Sequence, residues 1–94
     1  MKKNKKGFYT LERPYTDFGS FLARKRNDAG LSQREVSLKL KYSSAQFISN
    51  FERGLALPPL KKLKTIIGLY DLCARDVENM LVLAERKRIQ EALK

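Results

Sequence analysis

Reactive side chains are scarce in this sequence. It has no histidine and a single cysteine, Cys73, which removes disulfide scaffolds, Cys/His zinc sites and catalytic triads or dyads built on an imidazole base. No paired-acid motif and no glycine-rich phosphate loop is present, so the chain does not read as an enzyme and needs no metal or cofactor. What remains is the chemistry of recognition. In YSSAQFISNF, residues 42–51, ten consecutive residues carry no charge in a chain of formal net charge +10. Gln46 and Asn50 within it can each donate and accept a hydrogen bond at once, which suits bidentate pairing with adenine N6 and N7, and Ala45 can meet a thymine methyl.

The overall charge points the same way. Lys and Arg outnumber Asp and Glu 20 to 10, with a sequence pI near 10.0. Each phosphate neutralised by such a surface releases condensed counterions, so an anionic partner is implied and nucleic acid leads; the bland alternative is a protein that is merely basic. A chain of 94 residues makes one small domain with an arm or tail. Its hydrophobic content of 43% is ordinary for a globular protein, and no apolar run approaches the roughly 20 residues of a membrane span. MKKNKKGFYTL has a basic beginning without the apolar block of a signal peptide. Such a chain is expected in the cytoplasm.

Helical elements must position these residues. Residues 1–15 stand apart, with Lys2, Lys3, Lys5 and Lys6 ahead of Gly7 and Pro14; they read as a basic, partly mobile arm. Thr16 or Asp17 can cap a first helix with Phe18, Phe21, Leu22 and Ala29 on its apolar side, closed by Gly30. Ser32 and Glu35 form a capping box that opens a second helix running to about Leu40, with Val36 and Leu40 inward. A third helix, residues 44–53, is capped by Ser43 or Ser44 and ends before Gly54. Its apolar positions are Phe47, Ile48 and Phe51. With Ile48 and Phe51 inward, positions 45, 46, 49, 50 and 53 point outward.

Pro59 can start a fourth helix whose buried side is Leu60, Leu63, Ile66, Ile67 and Tyr70, with Lys61, Lys62 and Lys64 outward. The last helix is expected from about Ala74 to near the C-terminus, with Cys73 at its cap and Asp76 and Glu78 in its first turn. It carries two apolar stripes. Val77, Leu81 and Ala84 make one; Val82, Ile89 and Leu93 make a second, about 140° around at 100° per residue. A helix of about 20 residues is on the order of 30 Å long, more than so small a domain covers with its own core. The second stripe is therefore expected to meet another subunit.

GLSQREVSLKL followed by SSAQFISNFERGLALPPLKKLKTI resembles the lambda-repressor-like, Xre/Cro family of bacterial and phage helix-turn-helix DNA-binding domains. GLSQ, ISNFERG and the proline-led helix with Leu60 and Leu63 carry the likeness, which covers about residues 17–83. The chain departs from the family in having Lys41 where glycine usually ends the second helix, in a link to the third helix one residue longer than the commonest form, and in LALPP where the family's loop is often basic. The resemblance implies an all-α, five-helix domain over residues 16–83, an extension of the last helix over 84–94 and the basic arm over 1–15.

The resemblance further implies that the third helix enters the major groove, with Ala45, Gln46, Ser49 and Asn50 at the base edges. Phosphate contacts would come from Gln33 and its neighbours Ser32, Arg34, Lys41, Ser43, Ser44 and Arg53. Arg26 and Glu52 correspond to a family ion pair that holds the recognition helix at its angle. Lys2, Lys3, Lys5 and Lys6 resemble the arms some members wrap around DNA, and Val82, Ile89 and Leu93 would be the dimer contact. The expected function is a sequence-specific regulator of transcription, acting as a repressor and homodimer on double-stranded DNA, with no small-molecule ligand evident. Two alternatives differ in class. One is an antitoxin or adaptor engaging a protein partner through LALPPL and the last helix. The other is a non-specific nucleic-acid binder, which sits badly with a third helix lacking Lys or Arg before Arg53.

Overall fold

The computed structural model describes residues 14–94. Over these residues the chain forms five helices: α1 Thr16–Asp28, α2 Gln33–Lys39, α3 Gln46–Glu52, α4 Leu60–Tyr70 and α5 Ala74–Ala92. Each brings apolar residues three or four apart to a common core. Phe18 and Leu22 come from α1, Val36 and Leu40 from α2 and its C-terminal cap, Ile48 and Phe51 from α3, Leu63, Ile66 and Tyr70 from α4, and Val77 from α5. Burying a side chain of this size contributes roughly 1.5–3 kcal/mol, so these ten residues hold the helices together.

The helix starts differ in chemistry. At α2 the capping box is complete: the Ser32 hydroxyl accepts the Glu35 N–H at 3.0 Å, and the Glu35 carboxylate accepts the Ser32 N–H at 2.7 Å. Helix α1 begins at Thr16 with Tyr15 in the cap position, so neither Thr16 nor Asp17 takes the role expected of it. Helix α3 begins at Gln46, two residues later than expected, after bends at Ser43 and Ser44 and a turn at Ala45. Ala45 stands at the cap, and the Ser44 hydroxyl accepts the Gln46 N–H at 3.2 Å. Arg53 lies at the C-cap of the same helix. Helix α5 starts after Cys73, whose side chain makes no cap hydrogen bond.

Two backbone features set the angle between α1 and α3. A Cβ on Gly19 would lie 2.5 Å from the Phe51 carbonyl oxygen and 2.6 Å from that of Glu52, so only glycine lets the helices approach this closely. Gly54 follows α3 with φ +80, and a Cβ there would meet the Thr16 backbone at 2.6 Å. The Tyr15 N–H donates to the Gly54 carbonyl at 3.1 Å. The start of α1 is thereby tied to the end of α3.

Several apolar positions lie elsewhere than their spacing suggests. Ala29 is exposed, because α1 stops at Asp28 and the helical period ends with it. Leu60 is 76% exposed on the solvent side of the first turn of α4. Phe47 is 43% exposed and stacks on Tyr42, with ring centroids 4.4 Å apart and planes 10° off parallel. In LALPPL, Pro58 is buried and Ala56 and Leu57 pack against the core, while Pro59 and Leu60 are exposed, so only part of that loop is open as a contact surface. Tyr15, which the sequence groups with the arm, belongs to the body: besides its backbone bond, its hydroxyl donates to the Glu85 carboxylate at 3.0 Å. Lys2, Lys3, Lys5 and Lys6 lie outside the described residues.

Candidate nucleic-acid interface

Helix α3 is short, and its orientation depends on what grips its two sides. On one side Ile48 and Phe51 enter the core. The opposite side, by helical geometry, carries Gln46, Ser49 and Asn50, with Arg53 following at the C-cap. Gln46 is exposed, Ser49 and Asn50 are half-buried, and Ala45 is half-buried ahead of the first turn. The Gln46 amide nitrogen donates to the Asn50 side-chain oxygen at 2.9 Å. One turn of helix thus joins the two amides into a single unit, and this bond uses neither the Gln46 side-chain oxygen nor the Asn50 side-chain nitrogen. An amide acceptor beside an amide donor is the complement of a base edge that offers both.

The C-terminal end of α3 is held by a charged network. Arg26 donates to both carboxylate oxygens of Glu52, at 2.6 Å through Nε and 3.0 Å through Nη2, with only 12% and 8% of the two side chains exposed. Arg26 Nη1 donates to the Leu31 carbonyl at 2.8 Å, and the Gln33 amide donates to Glu52 at 2.9 Å. The end of α1, the α1–α2 turn, the start of α2 and the end of α3 therefore share one set of hydrogen bonds. The Glu52 hydrogen bond is the main influence raising the Arg26 pKa above its ordinary value. Burial pushes the Tyr70 phenol up, and the nearby Glu52 carboxylate adds to the effect.

The N-terminal end of α3 is held by aromatic contacts. Tyr42 stacks on Phe47 and lies tilted against Phe51, with centroids 6.0 Å apart. Lys62, assigned outward by its spacing, turns back instead: its ammonium lies 4.9 Å from the Tyr42 ring centroid and donates to the Leu40 carbonyl at 2.6 Å. That bond satisfies one of the carbonyls a helix end leaves without a partner. Lys41 follows with φ 63, in the left-handed conformation that costs an L-residue roughly 1–2 kcal/mol.

Around α3 the side chains expected to meet phosphate fall into two groups. Arg34, Lys41, Ser43, Ser44 and Arg53 are exposed. Ser32, also exposed, is engaged in the capping box, Gln33 is bonded to Glu52, and the exposed Ser44 already accepts the Gln46 N–H. The role of Gln33 in bracing α3 is invisible to sequence reasoning, because 19 positions separate it from Glu52. Gly19 was also missed, although a lone glycine inside a helical pattern is a usable signal of close packing. On α5, Val82, Leu83, Ile89 and Leu93 are exposed. Val82 and Ile89 share an open face of α5 with Leu81, Glu85, Arg86 and Gln90.

The helix-turn-helix family model HTH_3 matches residues 22–74, from the middle of α1 to the first residue of α5. This is more than half of the chain, and the protein belongs to that family, the Xre/lambda-repressor-like helix-turn-helix domains. No curated protein matches the chain at the level required of a relative. Membership supports the role of a DNA-binding transcription regulator, a kind of protein that is generally not an enzyme. No described helix is long and apolar enough to cross a membrane.

Proposed function

We propose that this protein is a sequence-specific repressor that binds double-stranded DNA as a homodimer, with α3 laid in the major groove. The observation that carries this reading is the Gln46–Asn50 amide pair on the outward side of a helix gripped at both ends. Gln46 and Asn50 read adenine edges, Ser49 and Ala45 fill in around them, and Arg34, Lys41, Ser43, Ser44 and Arg53 meet phosphates. The charge of +10 supplies the long-range attraction. Repression needs only occupancy of a site, and the protein acts on the nucleoid in the cytoplasm.

The exposed Val82, Ile89 and Leu93 stripe forms the dimer contact, and two copies place their α3 helices about 34 Å apart, one turn of B-form DNA, or a multiple of it. The adaptor alternative has only part of LALPPL to offer, since Pro58 is buried and Ala56 and Leu57 pack against the core. Binding to randomised duplexes under salt titration, wild type beside Gln46→Ala and Asn50→Ala, tests the specificity. Losses confined to preferred duplexes support it, and equal losses on all DNA, or none on any, refute it. The dimer is tested by sedimentation of the Val82→Asp/Ile89→Asp variant, which is expected as a monomer; unchanged sedimentation rules out this interface.

A further inference from the structure

Phe47 is an anomaly on α3. It lies one residue after Gln46 and three before Asn50, and 43% of it is exposed although its helical spacing would suit an anchor. The ring is not loose. Stacking on Tyr42 at 4.4 Å and 10° fixes its plane, and Tyr42 is itself held by Phe51 and by Lys62. Tyr42 leads directly into the exposed Ser43 and Ser44, and Phe47 itself follows Gln46 on the same helix. At 100° per residue it lies about 60° around the helix from Asn50 and about 40° from Phe51, on the border between outward and buried sides.

The apolar group that the major groove presents at base edges is the thymine C5-methyl. An adenine read by a Gln or Asn side chain is paired with thymine, so the stretch α3 would read carries such methyls. A ring edge held rigid at the border of a polar reading surface loses no rotamer freedom on meeting one. We propose that Phe47 is a specificity-determining residue whose exposed edge packs on a thymine methyl within the stretch read by Gln46 and Asn50. This rests on the DNA-binding reading above and adds a methyl contact to its amide code.

Deoxyuridine lacks only that methyl, which makes it the probe. A duplex selected by the full-length wild-type protein from a randomised pool is remade with each thymine replaced singly by deoxyuridine. At one thymine or more the wild type is expected to lose affinity roughly three- to fivefold, the worth of one methyl-sized group removed from water. Phe47→Ser is expected to bind the thymine and deoxyuridine duplexes equally while still depending on Gln46, whereas Gly68→Ala, on α4 and outside the reading surface, keeps the discrimination. Should Phe47→Ser fail to fold by circular dichroism, Phe47→Tyr, which keeps the stack but puts a hydroxyl at the outer edge, is expected to lose the methyl preference. If no duplex is enriched, the DNA-binding reading itself fails, and the methyl contact with it. If a duplex is enriched but no deoxyuridine weakens it, or if the Phe47 variants keep the preference, Phe47 does not read the methyl.

Discussion

Arg26 shows how one side chain can matter more for geometry than for energy. With Glu52 nearly buried and also accepting from Gln33, Arg26→Met leaves a carboxylate without its cation, a change that costs about 3–5 kcal/mol when burial is complete. Urea unfolding is expected to show a loss near the lower end of that range. Replacing both partners, Arg26→Met with Glu52→Leu, should restore much of the stability, since apolar replacements of similar volume are often neutral. DNA affinity should not recover, because the polar clamp that joins the C-terminal end of α3 to α1 and α2 is then gone. Recovery of both would mean that the pair serves stability alone. Arg26 and Glu52 were legible in the sequence through the family pattern, whereas Gln33 as their third member was not: a contact between residues 19 apart depends on how α2 and α3 cross.

At the scale of elements, contacts between helix backbones override local preference. Gly19→Ala would improve helix propensity by up to about 1 kcal/mol, yet its methyl meets two carbonyl oxygens of α3 at 2.5 and 2.6 Å. A net loss of roughly 1–3 kcal/mol is expected, as for other overpacked sites. Gly68 in α4 is the contrast. A Cβ there meets nothing within 4 Å, so Gly68→Ala should raise the unfolding midpoint by the equivalent of roughly 0.5–1 kcal/mol. Lys41 is the third case. Relief of its left-handed backbone in Lys41→Gly should stabilise by about 1 kcal/mol, while loss of the charge should weaken DNA binding and lower the salt slope by about one counterion. A parallel urea and salt series on these three variants checks all three signs. The capping box of α2 was legible because its partners are three residues apart; the late start of α3 was not, because the path through the bends at Ser43 and Ser44 and the turn at Ala45 is decided by where Tyr42 and Phe47 stack.

For the molecule as a whole, the alkaline limit of stability is set by tyrosines. Tyr70 is raised well above its ordinary value near 10, first by burial and then by Glu52. Burial leads in raising Tyr15 and Tyr42 as well, and at Tyr15 Glu85 adds to it. A folded form that keeps a proton the unfolded form has lost is disfavoured as pH rises, so this contribution is complete below about pH 10 and declines above it. Thermal unfolding between pH 9 and 12 should therefore fall less steeply for Tyr70→Phe than for wild type; parallel curves would show that burial of the phenol does not govern this limb. The same whole-molecule view concerns α5. Tyr15 binds Glu85 and Asp17 pairs with Lys87 at 3.7 Å, so the last helix is fastened to α1 beyond Val77.

Residue types and short spacings alone determined the all-helical class, the absence of histidine chemistry, the basic balance, the capping box, all ten residues of the buried core and the outward side on which Gln46 and Asn50 stand. Those are local properties, written in periods of three and four. Only the tertiary structure decided that Gln33 braces Glu52, that Gly19 admits α3 against α1, that Lys62 turns inward and that Phe47 remains at the surface. Each of these depends on two helices meeting at a particular angle and separation, and residues distant in sequence carry no periodic mark of that meeting.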